Sequence, residues 1–227
     1  MGKIGDNYKR LRESIHLDIS IVVASKTRTY NEVGEVIEAG ATLIGENYVY
    51  PEALNKYQLL GEKAERVRWH LIGPLQKNKI NKALLIFDLI QTVGSLHIAR
   101  EIDKRVERAG KSIIPVLLEI NSGREESKSG FLPDLSIIKE AILEIEELRN
   151  IMIKGLMTMG PMYGNPENAR PYFKITREIF ERLKEVETKN SMMEILSMGM
   201  SNSYKVAIEE GSNMVRIGSL IFGERIK

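Results

Sequence analysis

The chain has 227 residues, of which 43% are hydrophobic and 28% charged, with a formal net charge of +2 and no cysteine. Such a composition can bury a full core, and a (β/α)8 barrel falls within this length. It excludes a disulfide framework, a thiolate metal site and a thiol nucleophile, and the near-balanced charge lacks the electrostatic footprint of a nucleic-acid binder.

Residues 1–18 are expected to form a short helical segment, and residues 1–15 carry too many charges for a signal peptide. Asp6 stands where a myristoylation motif requires Ser or Thr. The run Ala83-Leu84-Leu85-Ile86-Phe87 stops at Asp88, far short of the roughly 20 residues that span a bilayer. The expectation is a cytoplasmic monomer with no membrane contact.

Beyond that segment, short β-branched or leucine-rich runs recur at 19–24, 42–45, 68–72, 87–92, 113–120, 152–157, 194–197 and 214–217. Each is followed by an amphipathic stretch long enough for a helix. Residues 31–39 place Val33, Val36 and Ile37 on one face, and residues 135–148 repeat Ile138, Ile142 and Ile145 against Glu and Lys. Asn31 and Ser95 have the chemistry of helix N-caps. No Pro/Gly/Ser-rich linker breaks the series, so one domain over residues 1–227 is expected. The fold class predicted is α/β, a single (β/α)8 TIM-type barrel, with a doubly wound open sheet as the alternative.

In either architecture ligands bind at the carboxyl ends of the strands. That rule selects Ser25-Lys26-Thr27, Glu46-Asn47, Gly73-Pro74, Asn121-Ser122-Gly123, Thr158-Met159-Gly160, Met198-Gly199-Met200-Ser201 and Gly218-Ser219. Lys26 follows the apolar Ile21-Val22-Val23-Ala24, where desolvation disfavours an ammonium and favours the free amine that condenses with an aldehyde. On position alone, a lysine reaching from a strand end to water is the commoner arrangement. Val215-Arg216-Ile217-Gly218-Ser219 closes the last predicted strand with a small-residue turn, and Met198-Gly199-Met200-Ser201 has a similar makeup. Late-strand turns of this kind are the usual phosphate pocket of barrels. Gly218 as a plain turn glycine and Ser201 as an N-cap are the competing structural readings.

His16, His70 and His97 show no metal-ligand spacing. Met192, Met193, Met198 and Met200 read as gap-fillers, and Glu144, Glu146 and Glu147 as a solvated helix flank.

The segments Ala24-Ser25-Lys26-Thr27, Ile44-Gly45-Glu46-Asn47-Tyr48-Val49, Trp69-His70-Leu71-Ile72-Gly73-Pro74-Leu75-Gln76-Lys77-Asn78-Lys79, Ser127-Lys128-Ser129-Gly130-Phe131, Gly155-Leu156-Met157, Leu196-Ser197-Met198-Gly199-Met200-Ser201 and Val215-Arg216-Ile217-Gly218-Ser219 come in order. Together they resemble the YggS/PROSC family of homeostasis proteins that bind pyridoxal 5′-phosphate (PLP), which is similar to the barrel domain of alanine racemase. The resemblance implies PLP as cofactor and Lys26 as its Schiff-base lysine. It puts Asn47 near the cofactor, Ser201, Gly218 and Ser219 around the phosphate, and Arg216 opposite the pyridine nitrogen. His70 and Met157 would line the pocket.

An always-protonated guanidinium at that nitrogen leaves the ring neutral, a poor electron sink. Racemases also use a tyrosine supplied by a second domain of a partner subunit, which the 227 residues do not contain; Tyr30, Tyr48, Tyr163 and Tyr204 are formal substitutes. The implied role is therefore a PLP carrier rather than an efficient enzyme, with apo PLP enzymes and amino acids as partners, and a low-efficiency amino-acid racemase as the alternative. Two positions depart from the family pattern: Ser203 replaces a common acidic residue and Ser219 a frequent threonine.

Overall fold

The computed structural model describes residues 2–111, 113–125, 129–161, 164–186 and 188–224. Ser127, Lys128 and Tyr163 lie outside the described residues. The strands are β1 (Ser20–Ala24), β2 (Leu43–Glu46), β3 (Arg68–Leu71), β4 (Leu89–Val93), β5 (Ile114–Ile120), β6 (Ile151–Thr158), β7 (Ser191–Ser197) and β8 (Met214–Ile217). They lie parallel in sequence order, and β8 returns to β1 with Ser20 opposite Met214 and Val23 opposite Ile217. This closure makes the sheet a barrel and excludes the open doubly wound alternative.

The helices are α1 (Lys3–Glu13), α2 (Tyr30–Glu38), α3 (Leu54–Leu60), α4 (Glu62–Glu65), α5 (Ile80–Ile86), α6 (Leu96–Val106), α7 (Leu135–Glu146), α8 (Arg170–Leu183), α9 (Tyr204–Glu209) and α10 (Ser219–Phe222). Strand periodicity of two sorts the apolar residues into two cores. Val23, Ile44, Leu71, Ile90, Val116, Leu118, Leu196 and Val215 point outward and are sealed by the helices. Each such side chain, fully buried, is worth about 1.5 to 3 kcal/mol. The barrel interior holds only small apolar groups, Val22 with Ile72 and Met214, and Leu89 with Leu117 and Met157. The rest of the interior is polar, with His70, Gln91, Ser197 and Arg216 buried there.

Most boundaries shift by one or two residues, and two departures have a clear physical cause. The α2 N-cap is Thr29, not Asn31: the Thr29 hydroxyl accepts from Glu32 N–H while the Glu32 carboxylate accepts from Thr29 N–H. This reciprocal box satisfies two orphan donors, and Asn31 is already inside the helix. Strand β7 begins three residues earlier than its apolar run, because Ser191 pairs with Ile153 although 191–194 are partly exposed. Ser95 caps α6 as expected, accepting from Ile98 N–H. No helix among the described residues is long and apolar enough to cross a membrane.

Candidate functional site

Of the strand-end residues singled out from the sequence, Ser201, Gly218 with Ser219, Lys26 and Asn47 follow β7, β8, β1 and β2, four consecutive staves of the barrel, while the others follow β3, β5 and β6. Lys26 follows β1 and is half-buried, with its Nζ 5.0 Å from the centre of the Tyr48 ring. Thr27, the next residue, has φ of +66°. A β-branched residue in this left-handed region is strained, so outside contacts must hold it. Its N–H donates to Glu52 Oε1.

Behind this turn lies a buried ion cluster that the sequence did not signal as a unit. Lys56, from α3, donates to Glu46 Oε1 (2.5 Å), Ser25 O (2.7 Å) and Glu52 Oε1 (3.0 Å). Ser25 Oγ also donates to Glu46 Oε1 (2.5 Å). Burial pushes the Glu46 carboxyl above the usual carboxylate range, against the pull of Lys56 and Ser25. Glu46 was visible as a strand-end residue, but a lysine within a short helix carries no sequence signal of burial.

On the neighbouring stave β8, Arg216 lies opposite Val22 of β1 and is buried. Its Nη1 donates to Ser197 O (2.9 Å) and Oγ (2.6 Å), and its Nη2 to Thr158 O (2.8 Å). Its Nε–H and one Nη2–H have no partner among the described residues. Burial lowers its pKa to about 10, partly offset by the charge of Glu119, so it remains a cation at neutral pH.

From Arg216 the hydrogen bonds run one way. Ser197 Oγ donates to Gln91 Oε1 (2.7 Å), and Gln91 Nε2 stands 3.0 Å from His70 Nδ1. With the Gln91 carbonyl occupied by Ser197, its amide must donate and Nδ1 must accept. The imidazole is therefore neutral, and burial, assisted by the nearby charge of Arg68, lowers its pKa to about 4. Burial also holds the Glu119 carboxyl above its usual range, against the hydroxyl of Ser129 (2.9 Å) and the charge of Arg216.

The two small-residue loops meet. Gly218 N–H donates to Ser201 Oγ at 3.2 Å, so the Ser201 hydroxyl joins the loops and is not the cap of α9. A Cβ on Gly218 would stand 3.1 Å from Ala24 O, so the loop runs close against the backbone leading to Lys26. Ser219 opens the turn α10 and is exposed; the first N–H groups of such a turn find no carbonyl within it. Asn47 follows β2 and is half-buried, its backbone so close to Gly73 that a Cβ there would lie 2.4 Å from Asn47 O. Ser203, in place of an acid, is buried and its hydroxyl accepts from Met200 N–H (3.3 Å).

The remaining candidates separate cleanly. Met157 lies inside the barrel, while His16 and His97 are exposed. No group of three or more potential metal ligands occurs among the described residues. Met198 is a core side chain, whereas Met192 is exposed. Glu144 pairs with Arg100. Of the tyrosines weighed as a second acid/base group, Tyr48 lies against Lys26.

The family model described as alanine racemase, N-terminal domain, matches residues 1–226. The pyridoxal phosphate homeostasis protein of Aquifex aeolicus is 41% identical over 202 residues, 89% of this chain and 85% of that protein. The chain belongs to the pyridoxal phosphate homeostasis protein family. PipY of Synechococcus elongatus, solved with PLP bound, superposes with a TM-score of 0.85 at 27% identity, covering 97% of this chain and 100% of PipY. Alanine racemase of Clostridium difficile shares the fold, with a TM-score of 0.78 at 18% identity over 99% of this chain and 57% of the racemase. The family expected from the motifs is thus the family found, and the barrel is the one it shares with the racemases.

Proposed function

We propose that this chain is a PLP homeostasis protein that holds the cofactor as a Schiff base on Lys26 and hands it on without efficient catalysis. The observation that carries this reading is the convergence at consecutive strand ends of one amine, one buried guanidinium with two spare donors, and a joined pair of small-residue loops. That donor set fits PLP. The spare N–H groups of Arg216 suit the pyridine nitrogen, an acceptor, and the Ser201, Gly218 and Ser219 loops suit a phosphate, with Asn47 beside the ring and His70 and Met157 lining the wall.

When bound, PLP supplies an aldehyde; the Lys26 nitrogen bonds to its carbon, and the carbonyl oxygen leaves as water with the two amine protons. Arg216, a cation that only donates, provides no proton acceptor and leaves a facing ring nitrogen neutral. A neutral ring withdraws electrons weakly, so the site favours storage and transfer over α-carbon chemistry. Amino acids and apo PLP enzymes are the recipients in this reading, and neither nucleic acid nor membrane has a role. The barrel and α1 are read as one cytoplasmic domain, functioning as a monomer.

Borohydride reduction of PLP-saturated protein followed by mass mapping tests this directly. A reduced adduct on Lys26, and a Lys26→Ala variant without visible absorbance, are expected. Unchanged absorbance in that variant would overturn the Lys26 assignment, and a colourless wild-type protein would overturn the cofactor.

One observation favours a second reading, a low-efficiency amino-acid racemase: the Tyr48 phenol ring lies against Lys26. Sustained α-deuterium exchange of L-amino acids that depends on both Lys26 and Tyr48 would support it.

A further inference from the structure

Among the described residues the Lys26 amine has no hydrogen-bond partner, and it lies over the Tyr48 ring. Its direction is therefore set by the backbone that carries it, and that backbone is pinned on both sides by the same ammonium. Lys56 has three N–H donors. One goes to Ser25 O before Lys26; the others go to Glu46 and to Glu52, whose Oε1 also takes the Thr27 N–H after Lys26. Ser25 is gripped a second time through its hydroxyl by Glu46.

Stability does not explain the cluster. Lys56 and Glu46 are 6% and 0% exposed, and Glu46 Oε2 is buried with no partner. Removing two such charges from water costs as much as their attraction returns, and apolar pairs of similar volume generally serve a fold equally well. The cluster instead stands where the chain needs an anchor: Thr27 is left-handed at φ +66°, a conformation that persists only when its surroundings impose it.

We infer that Lys56, clamped between Glu46 and Glu52, is a positioning residue that fixes the Ser25–Thr27 backbone and so aims the Lys26 amine into the barrel mouth. The inference rests on the reading of Lys26 as the PLP-binding amine. It makes the readiness of that amine, rather than the stability of the barrel, the property that depends on Lys56.

The test measures the rate at which visible absorbance appears when PLP is added to the apo protein, and the amount of borohydride-trapped adduct on Lys26, alongside thermal melts. Wild type is compared with Lys56→Met, with the double variant Glu46→Leu/Lys56→Met, and with Ile138→Val, a core truncation in α7 away from β1. The double variant should melt near wild type yet condense at least tenfold more slowly, since small misalignment of a reacting group is costly. Ile138→Val should melt lower and condense at the wild-type rate. A folded double variant that condenses within twofold of wild type overturns the inference while leaving Lys26 as the PLP lysine. If the double variant does not fold, Glu46→Gln, which keeps the volume and a carbonyl acceptor but loses the charge, decides by the same rate criterion. A wild-type protein that forms no trapped adduct on Lys26 removes the cofactor reading and this inference together.

Discussion

Replacing His70 by glutamine should flatten the acid limb of the stability profile. His70 is 4% exposed and accepts through Nδ1 at the end of the chain Arg216, Ser197, Gln91. Its proton is taken up in the unfolded state around the ordinary value of 6.5, but in the folded state only around 4. Between those values the unfolded state binds more protons, so acid drives unfolding. The contribution is complete above pH 6.5 and disappears as pH falls through 4. At pH 4 the loss amounts to about 3 kcal/mol, taking 1.36 kcal/mol per pKa unit. Glutamine keeps an acceptor at the site and does not titrate. Urea unfolding of both proteins at pH 7 and pH 4 gives the comparison, and any packing cost of the substitution cancels in the difference. Wild type should lose about 3 kcal/mol more than His70→Gln over that interval. Parallel losses would refute the neutral, accepting imidazole and the direction of the whole chain.

Arg216→Lys removes a planar fork that serves two buried carbonyls, Ser197 O and Thr158 O. It should cost about 2 to 3 kcal/mol in urea unfolding and weaken PLP binding in absorbance titrations. Gly73→Ala drives a Cβ to 2.4 Å from Asn47 O and 2.6 Å from Asn47 Cα, backbone atoms that cannot rotate away. A cost of about 1 to 3 kcal/mol, lowering the melting temperature by several degrees, is expected. Thr27→Gly relaxes the left-handed φ and should raise the unfolding free energy by about 1 kcal/mol, measured by urea titration; a decrease would show that Thr27 is not strained.

The barrel was legible because its strands are buried on both faces or sealed by helices, which leaves unbroken runs such as Ile21-Val22-Val23 and Val116-Leu117-Leu118. The places of Lys26 and Gly218 after strands were legible because such turns are short, but position alone left a lysine reaching water and a turn glycine as the commoner readings, and their implied roles came from the family resemblance. Other features depend on pairings no local pattern records. Gln91 looks like an interruption in Leu89-Ile90-Gln91-Thr92-Val93 until Ser197 and His70 are brought to it from other strands. Lys56 and Glu46 are ten residues apart on different elements, and only tertiary packing turns an ordinary lysine into a buried one. The start of β7 was missed because Ser191, Met192 and Glu194 lack an apolar run, their strand conformation being imposed by pairing with β6.

The pairing of β1 with β8 has a further consequence, one of timing. The amine follows β1 and the guanidinium and the Gly218 turn belong to β8, so the proposed pocket forms at the seam where the barrel closes. Until β8 has paired with β1, Lys26 stands without the Arg216 and Gly218 side of the pocket. An aldehyde captured then would be held by a single reversible bond and lost to water. With Lys26 as the proposed PLP amine, retention would begin only when β8 docks on β1, so the full set of contacts would form only on the closed barrel.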